Sequence, residues 1–220
     1  MSDLLLQYSV KKWFYAKKEK PEETKRSLDA NLLTSNMDNF FKELPIVIGE
    51  NGKPYLKNVP DFFYNLSHSG AWVVLACADH EVGADVERLR PDTKLERMTR
   101  RFFTEQECDY IFSSASDQEK LERFTKVWTC KESYVKYLGT GLAKGLNTFS
   151  VDVEQGHILE NSCIQEMGSI QENGCSLVCG EQKQEVMLYS EKLGTDYYVS
   201  VCGKKDEVQY CFLTAEQLQM

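Results

Sequence analysis

No apolar run in this 220-residue chain approaches the roughly 18–20 residues needed to cross a bilayer. Near the start, Leu4-Leu5-Leu6 gives way to polar residues too soon to form the core of a signal peptide. The expectation is therefore a soluble, cytoplasmic protein with no membrane partner. The eight cysteines include no CxxC pair, the closest spacing being that of Cys175 and Cys179. Without paired Cys and His spacings a structural zinc site has no ligands to draw on. A disulfide scaffold is also out of place in a chain long enough to bury a core. Cys77 and Cys202 lie in apolar, strand-like runs, where a reduced thiol acts as a small hydrophobe. Positive charge is in deficit too. A formal net charge of −8 argues against a nucleic-acid partner, because phosphate neutralisation needs a basic surface. No repeat, low-complexity tract or linker interrupts the chain.

What remains is an ordinary globular composition, 42% hydrophobic and 27% charged, in a chain sized for one large domain or two small ones sharing a core. Basic residues gather in two places: Lys11, Lys12, Lys17, Lys18, Lys20, Lys25 and Arg26, then Arg97, Arg100 and Arg101. Such runs are either solvated helix faces or surfaces for a small anion or an acidic partner.

Residues 22–44 read as a helix, with Leu28, Leu32, Leu33, Phe40 and Phe41 at near-helical spacing and Pro45 as the stop. Glu50-Asn51-Gly52-Lys53-Pro54 is a turn cluster. The apolar run 71–78 and the segment 82–87, joined by Asp79-His80-Glu81, suggest a hairpin. Thr104 with Glu107, and Ser116 with Glu119, have the form of capping boxes that start two helices. The second runs to about Gly139 along a stripe of Leu121, Phe124, Trp128, Val135 and Leu138. Segments 149–153, 185–190, 197–202 and 208–213 read as strands. The fold class is mixed α/β, with two halves dividing near residue 90, as 1–90 and 91–220.

Three stretches could carry chemistry. In Val82-Gly83-Ala84-Asp85-Val86-Glu87, strand alternation puts Asp85 and Glu87 side by side on one face. That pair is either the wet face of an edge strand or a site whose repulsion is relieved by a cation. In Trp128-Thr129-Cys130-Lys131-Glu132-Ser133-Tyr134-Val135-Lys136, Glu132 and Lys136 are one turn apart, as a surface ion pair or as functional groups. Asn65-Leu66-Ser67-His68-Ser69-Gly70 reads as a turn that either grips an anion or is merely polar. No partner acid stands at a spacing that would suggest a Ser-His-Asp triad.

Taken in order, Ser67-His68, Gly83–Glu87 and Trp128–Lys136 resemble the motif set of the surfactin-type phosphopantetheinyl transferase family. Arg101-Phe102-Phe103, Gly52-Lys53-Pro54 and Gly139-x-Gly141-Leu142 match it too, so that the likeness runs from about residue 20 to residue 203. The resemblance implies two similar α/β halves related by pseudo-twofold symmetry and a monomer with its active site between them. It implies transfer of phosphopantetheine from coenzyme A to a serine of an acyl or peptidyl carrier protein. Asp85, Glu87 and Glu132 would hold Mg²⁺ or Mn²⁺, with Glu132 as base and Lys136 on the pyrophosphate. Lys131 would be a weaker candidate for the same contact. Ser67 and His68 would meet coenzyme A phosphates, Lys53 and Pro54 the adenine, and Arg26 the 3′-phosphate. Arg97, Met98, Arg100 and Phe103 would face the carrier protein. Two departures stand out: a segment before Arg26 shorter than is usual, and Ala84 where larger aliphatics are common.

Overall fold

The structure, a computed structural model, describes residues 1–18, 44–57, 59, 61–91, 93–141, 145–160, 186–205, 208–209 and 211–218. The helix expected over 22–44 lies outside them except for Leu44, which is not helical. The chain opens instead with a helix the apolar spacing did not announce, α1 (Ser2–Lys18). Its buried residues Leu6, Val10 and Phe14 recur every four positions and so share one face, packed with Leu56, Val59, Phe62 and Tyr64 in a first core. Lys11 and Lys12 on its other side are exposed, a solvated helix face.

Two short hairpins follow. Strands β1 (Ile46–Ile48) and β2 (Pro54–Leu56) pair antiparallel around the expected turn, in which Gly49 N donates to Lys53 O at 2.8 Å. Strands β3 (Phe63–Ser69) and β4 (Trp72–Ala78) pair antiparallel in register from Phe63 with Ala78 to Ser69 with Trp72. This corrects two expectations. Segment 65–70 is not a turn: its polar residues sit in a strand, with Asn65, Ser67 and Ser69 buried on one face and His68 exposed on the other. Nor does 71–78 form a hairpin with 82–87. The next strand, β5 (Gly83–Arg88), pairs with the late strand β9 (Tyr197–Lys204), which pairs in turn with β8 (Val186–Leu193). A purely local reading favours the nearest apolar partner, whereas β5 is taken up by long-range packing. Cys77 is also turned outward on β4, while Cys202 is fully buried.

Among the described residues, three α-helices lie between β5 and the C-terminal strands. The first, α2 (Leu95–Phe102), carries Arg97, Arg100 and Arg101 exposed. Helix α3 (Glu105–Phe112) starts at the expected capping box, with Thr104 N donating to the Glu107 carboxylate at 2.8 Å. The long α4 (Asp117–Leu138) starts at Ser116 and ends at Gly139, whose φ of 64° suits a residue without a Cβ. The predicted stripe is partly right. Leu121, Phe124 and Val135 are buried, but Val127, Cys130 and Tyr134 are as well, and Leu138 is exposed. Helix α4 is wrapped on several sides and forms the axis of the second core with Phe103, Ile111, Phe149 and Leu188. Strands β6 (Phe149–Asp152) and β7 (His157–Glu160) close that core. Among the described residues of 208–213 no strand is present. No helix among the described residues is long and apolar enough to cross a membrane.

Candidate active site

Strand β5 has two edges, and they are satisfied differently. Toward β9 the backbone ladder is regular. Toward β3 its amides are met by side chains. Asn65 Oδ1 accepts from Ala84 N at 3.1 Å, Ser67 Oγ from Val86 N at 3.3 Å, and Ser69 Oγ from Arg88 N at 3.2 Å. Residues two apart on a strand share a face, so every second residue of β3 serves every second residue of β5. The two serines also donate: Ser67 Oγ to Asp85 Oδ1 at 2.8 Å, and Ser69 Oγ to Glu87 Oε2 at 3.0 Å.

Helix α4 crosses β5 at Gly83. A Cβ there would lie 2.0 Å from Ser133 O and 2.4 Å from Tyr137 N, so only glycine lets strand and helix backbones touch. Asp85 and Glu87, two and four residues on, point the same way and meet the helix where Glu132 and Lys136 stand. Lys136 Nζ donates to Asp85 Oδ1 at 2.7 Å and to Ser67 Oγ at 3.1 Å. One oxygen of Asp85 is thus doubly bonded, while Asp85 Oδ2 is buried with no hydrogen-bond partner among the described residues. An orphaned carboxylate oxygen in a buried position is costly and calls for a ligand. Burial holds the Glu132 carboxyl above the usual carboxylate range; neighbouring Asp85 and then Glu87 raise it further, against the opposing charge of Lys136.

Asp85, Glu87 and Glu132 therefore offer oxygen donors around one point, but with Lys136 on Asp85 they are not drawn together. Among the described residues no three His, Cys, Asp or Glu side chains stand close enough to hold a metal ion as they are. Hard carboxylate oxygens, mutual repulsion and the orphaned Oδ2 nonetheless fit a small divalent cation in place of the lysine. Arg90 reaches Glu87 Oε2 at 3.4 Å and, with Ser69, Gly70, Arg88, Leu89 and Pro91, lines an open cleft of about 420 Å³ beside it.

The other candidates are placed elsewhere. Lys131 is fully buried in the second core, paired with Glu107 at 2.8 Å and donating to Leu146 O and Phe149 O. Burial drives its pKa down, against the pull of Glu107. The sequence reading of Lys131 as a ligand contact is thus corrected: the residue after it on the helix faces the site, and Lys131 faces the core. Lys53 is also consumed internally, by Glu81 at 2.5 Å, Val82 O at 3.1 Å and Tyr137 O at 2.9 Å. It ties the β1–β2 turn to the end of α4 rather than standing open to a ligand. Pro54 begins β2, His68 is exposed on the face of β3 away from Asp85, and Arg26 lies outside the described residues. Phe103 is buried and Met98 half-buried against the core, which leaves Arg97 and Arg100 as the exposed part of the expected docking surface. Sequence reasoning missed Asn65, Ser69 and Arg90. The alternation of polar residues at 65, 67 and 69 was the available signal, hidden because such residues also favour turns.

The model of the 4′-phosphopantetheinyl transferase superfamily matches residues 81–202, more than half of the chain, including β5, α4 and β9. A 4′-phosphopantetheinyl transferase of Bacillus subtilis is 37% identical over 50% of this chain and 49% of its own length. The 4′-phosphopantetheinyl transferase gsp of Aneurinibacillus migulanus is 30% identical over 77% of this chain and 62% of its own. The chain thus spans about half the length of the first relative and three fifths of the second. A holo-(acyl-carrier-protein) synthase from Bacillus anthracis, solved with CoA (3′,5′-ADP), aligns at 18% identity and a TM-score of 0.38 over 56% of this chain and 92% of that one, too slight a likeness to build on. The motif strand and helix that meet at Gly83, and the family model that spans them both, make this chain a member of the 4′-phosphopantetheinyl transferase superfamily, of the surfactin type.

Proposed function

We propose that this protein transfers the 4′-phosphopantetheine arm of coenzyme A to a serine of an apo acyl or peptidyl carrier protein, with adenosine 3′,5′-bisphosphate as the leaving group. The reading rests above all on the buried, unpartnered Oδ2 of Asp85 beside a carboxyl group, Glu132, that resists ionisation. Asp85, Glu87 and Glu132 would hold Mg²⁺, or Mn²⁺ in its place, through carboxylate oxygens. When bound, such an ion neutralises phosphate charge and polarises the phosphorus under attack.

In the transfer, the serine Oγ forms a bond to the pantetheine-side phosphorus while the bond from that phosphorus to the leaving phosphate's bridging oxygen breaks. Glu132 takes the serine proton. In the metal-free protein, burial and its acidic neighbours raise its affinity for a proton. Lys136, held at 2.7 Å from Asp85, is placed to exchange that contact for a pyrophosphate oxygen. Ser67, Pro54, His68 and Arg26 are the further candidate contacts to coenzyme A. Arg97 and Arg100 offer positive charge to an acidic carrier. We assign the chain to the cytoplasm as a monomer, in two halves, 1–90 and 91–220, with the site at the seam where β3 and β5 meet α4.

The test is the intact mass of a purified apo carrier protein incubated with this protein, coenzyme A and Mg²⁺, with parallel reactions that omit Mg²⁺ or use Glu132→Gln. The expected result is a phosphopantetheine-sized gain that both controls abolish. Coenzyme A breakdown without any gain on several carrier classes would instead identify a hydrolase.

A further inference from the structure

The resemblance assigns Ser67 to coenzyme A, and it says nothing of Ser69. The geometry points to a different task, shared by both: we infer that Ser67 and Ser69 are positioning residues that aim the carboxylates of Asp85 and Glu87. This rests on the reading of those carboxylates as cation ligands.

Each serine hydroxyl is engaged at both ends. Ser69 Oγ accepts from Arg88 N at 3.2 Å and donates to Glu87 Oε2 at 3.0 Å. Ser67 Oγ accepts from Val86 N at 3.3 Å and from Lys136 at 3.1 Å, and donates to Asp85 Oδ1 at 2.8 Å. A hydroxyl has one proton and two lone pairs. The backbone amide therefore sets the orientation of the oxygen, and the single proton is left to the carboxylate. Ser67 is full: its proton and both lone pairs are used, with none left for a phosphate while Lys136 stays. Ser67 is 7% exposed and Ser69 4%, with Ser69 at the edge of the open cleft, so their bonds rather than bulk water set where the hydroxyls point.

The consequence is directional. Binding Asp85 through Oδ1 leaves Oδ2 unpartnered, so the hydroxyl selects which oxygen is presented to a cation. The same device, two residues on, holds Glu87 by Oε2. Since i and i+2 share a face on both strands, the pair repeats with the strand period and is a property of the β3–β5 seam, not of one contact. Partners that orient ligands are commonly worth 10–100-fold in metal affinity.

The seam also contains its own control. Asn65 makes the same kind of contact to β5, accepting from Ala84 N at 3.1 Å, but its contact on β5 is a backbone amide and not a carboxylate. Asn65→Ala removes a rung of the seam and leaves the aiming of Asp85 and Glu87 intact.

The experiment measures Mn²⁺ binding by electron paramagnetic resonance titration, without and with coenzyme A, for wild type, Ser67→Ala, Ser69→Ala, Ser69→Thr and Asn65→Ala, alongside the thermal midpoint of each. Ser67→Ala and Ser69→Ala should weaken Mn²⁺ binding by about tenfold each. Ser69→Thr, which keeps the hydroxyl, should restore it. Asn65→Ala should lower the thermal midpoint and leave Mn²⁺ affinity within about twofold of wild type, the precision expected of an uncoupled site. Equal losses of affinity in Asn65→Ala and Ser69→Ala would reduce the serines to structural rungs and overturn the inference alone. A wild-type protein that binds no Mn²⁺ with or without coenzyme A would overturn the cation reading itself, and this inference with it.

Discussion

Replacing Gly83 by alanine is the sharpest single perturbation of this architecture. The added methyl carbon would stand 2.0 Å from Ser133 O, 2.4 Å from Tyr137 N and 2.9 Å from Tyr137 Cα. Contact distances for carbon begin near 3.5 Å, so α4 and β5 would have to part by about 1 Å or more. The obstructing atoms are helix backbone and cannot rotate away as a side chain would. Overpacking a core costs about 1–3 kcal/mol, and backbone against backbone belongs at or above the upper end. At about 2–4 °C per kcal/mol for a chain of this size, the thermal midpoint should fall by roughly 6–12 °C. The displacement also separates Asp85 from Lys136 and Glu132, which are set by the same crossing. A 1 Å misplacement of catalytic groups can cost about 10²-fold in rate, so carrier modification should fall by about that factor below the melting transition. The assay pairs a thermal melt with the rate of carrier mass gain at a temperature where the variant is still folded. A variant that melts within about 1 °C of wild type and keeps its rate would refute the claim that this glycine brings strand and helix together.

Other outcomes follow from the same geometry. Because Glu132 has a higher pKa folded than unfolded, the folded state binds the extra proton, and stability falls as pH rises through the folded pKa. Glu132→Gln should therefore raise the thermal midpoint of the metal-free protein at neutral pH while abolishing transfer; a lower midpoint would contradict the electrostatic account. Lys131→Met strands a buried Glu107 that keeps only its two backbone donors, and should cost about 3 kcal/mol or more in denaturant unfolding. Coenzyme A affinity of the folded fraction should be unchanged, and a stable variant that fails to bind it would return Lys131 to the ligand. Reversing Arg97 and Arg100 together to glutamate should raise the apparent KM for an acidic carrier by about tenfold and spare kcat. Both positions are exposed, and among the described residues Arg100 pairs with Glu96 of the same helix, so the variant should keep its fold.

Much of this protein is written locally. The capping box at Thr104, the stop at Gly139 and the turn at Gly52 are decided within a few residues and stand where the chain predicts them; at Ser116 only half of the expected box forms, since Ser116 Oγ accepts from Glu119 N while the Ser116 amide donates to Ser114 Oγ. Period-two alternation places Asp85 and Glu87 on one face, and helical spacing places Glu132 beside Lys136, before any partner is known. The motifs carry the family in the same way. Three things were decided only by tertiary structure. Strand β5 leaves its neighbour in sequence for β9 because its glycine fits against α4, a contact fifty or more residues away in the chain. Segment 65–70 becomes a strand because its buried polar side chains find β5 amides and carboxylates to satisfy them, which a polar sequence cannot announce alone. Lys131 and Glu132, adjacent in a motif, part company because successive helical residues diverge by about 100°, and only the packing of α4 says which direction is core and which is site.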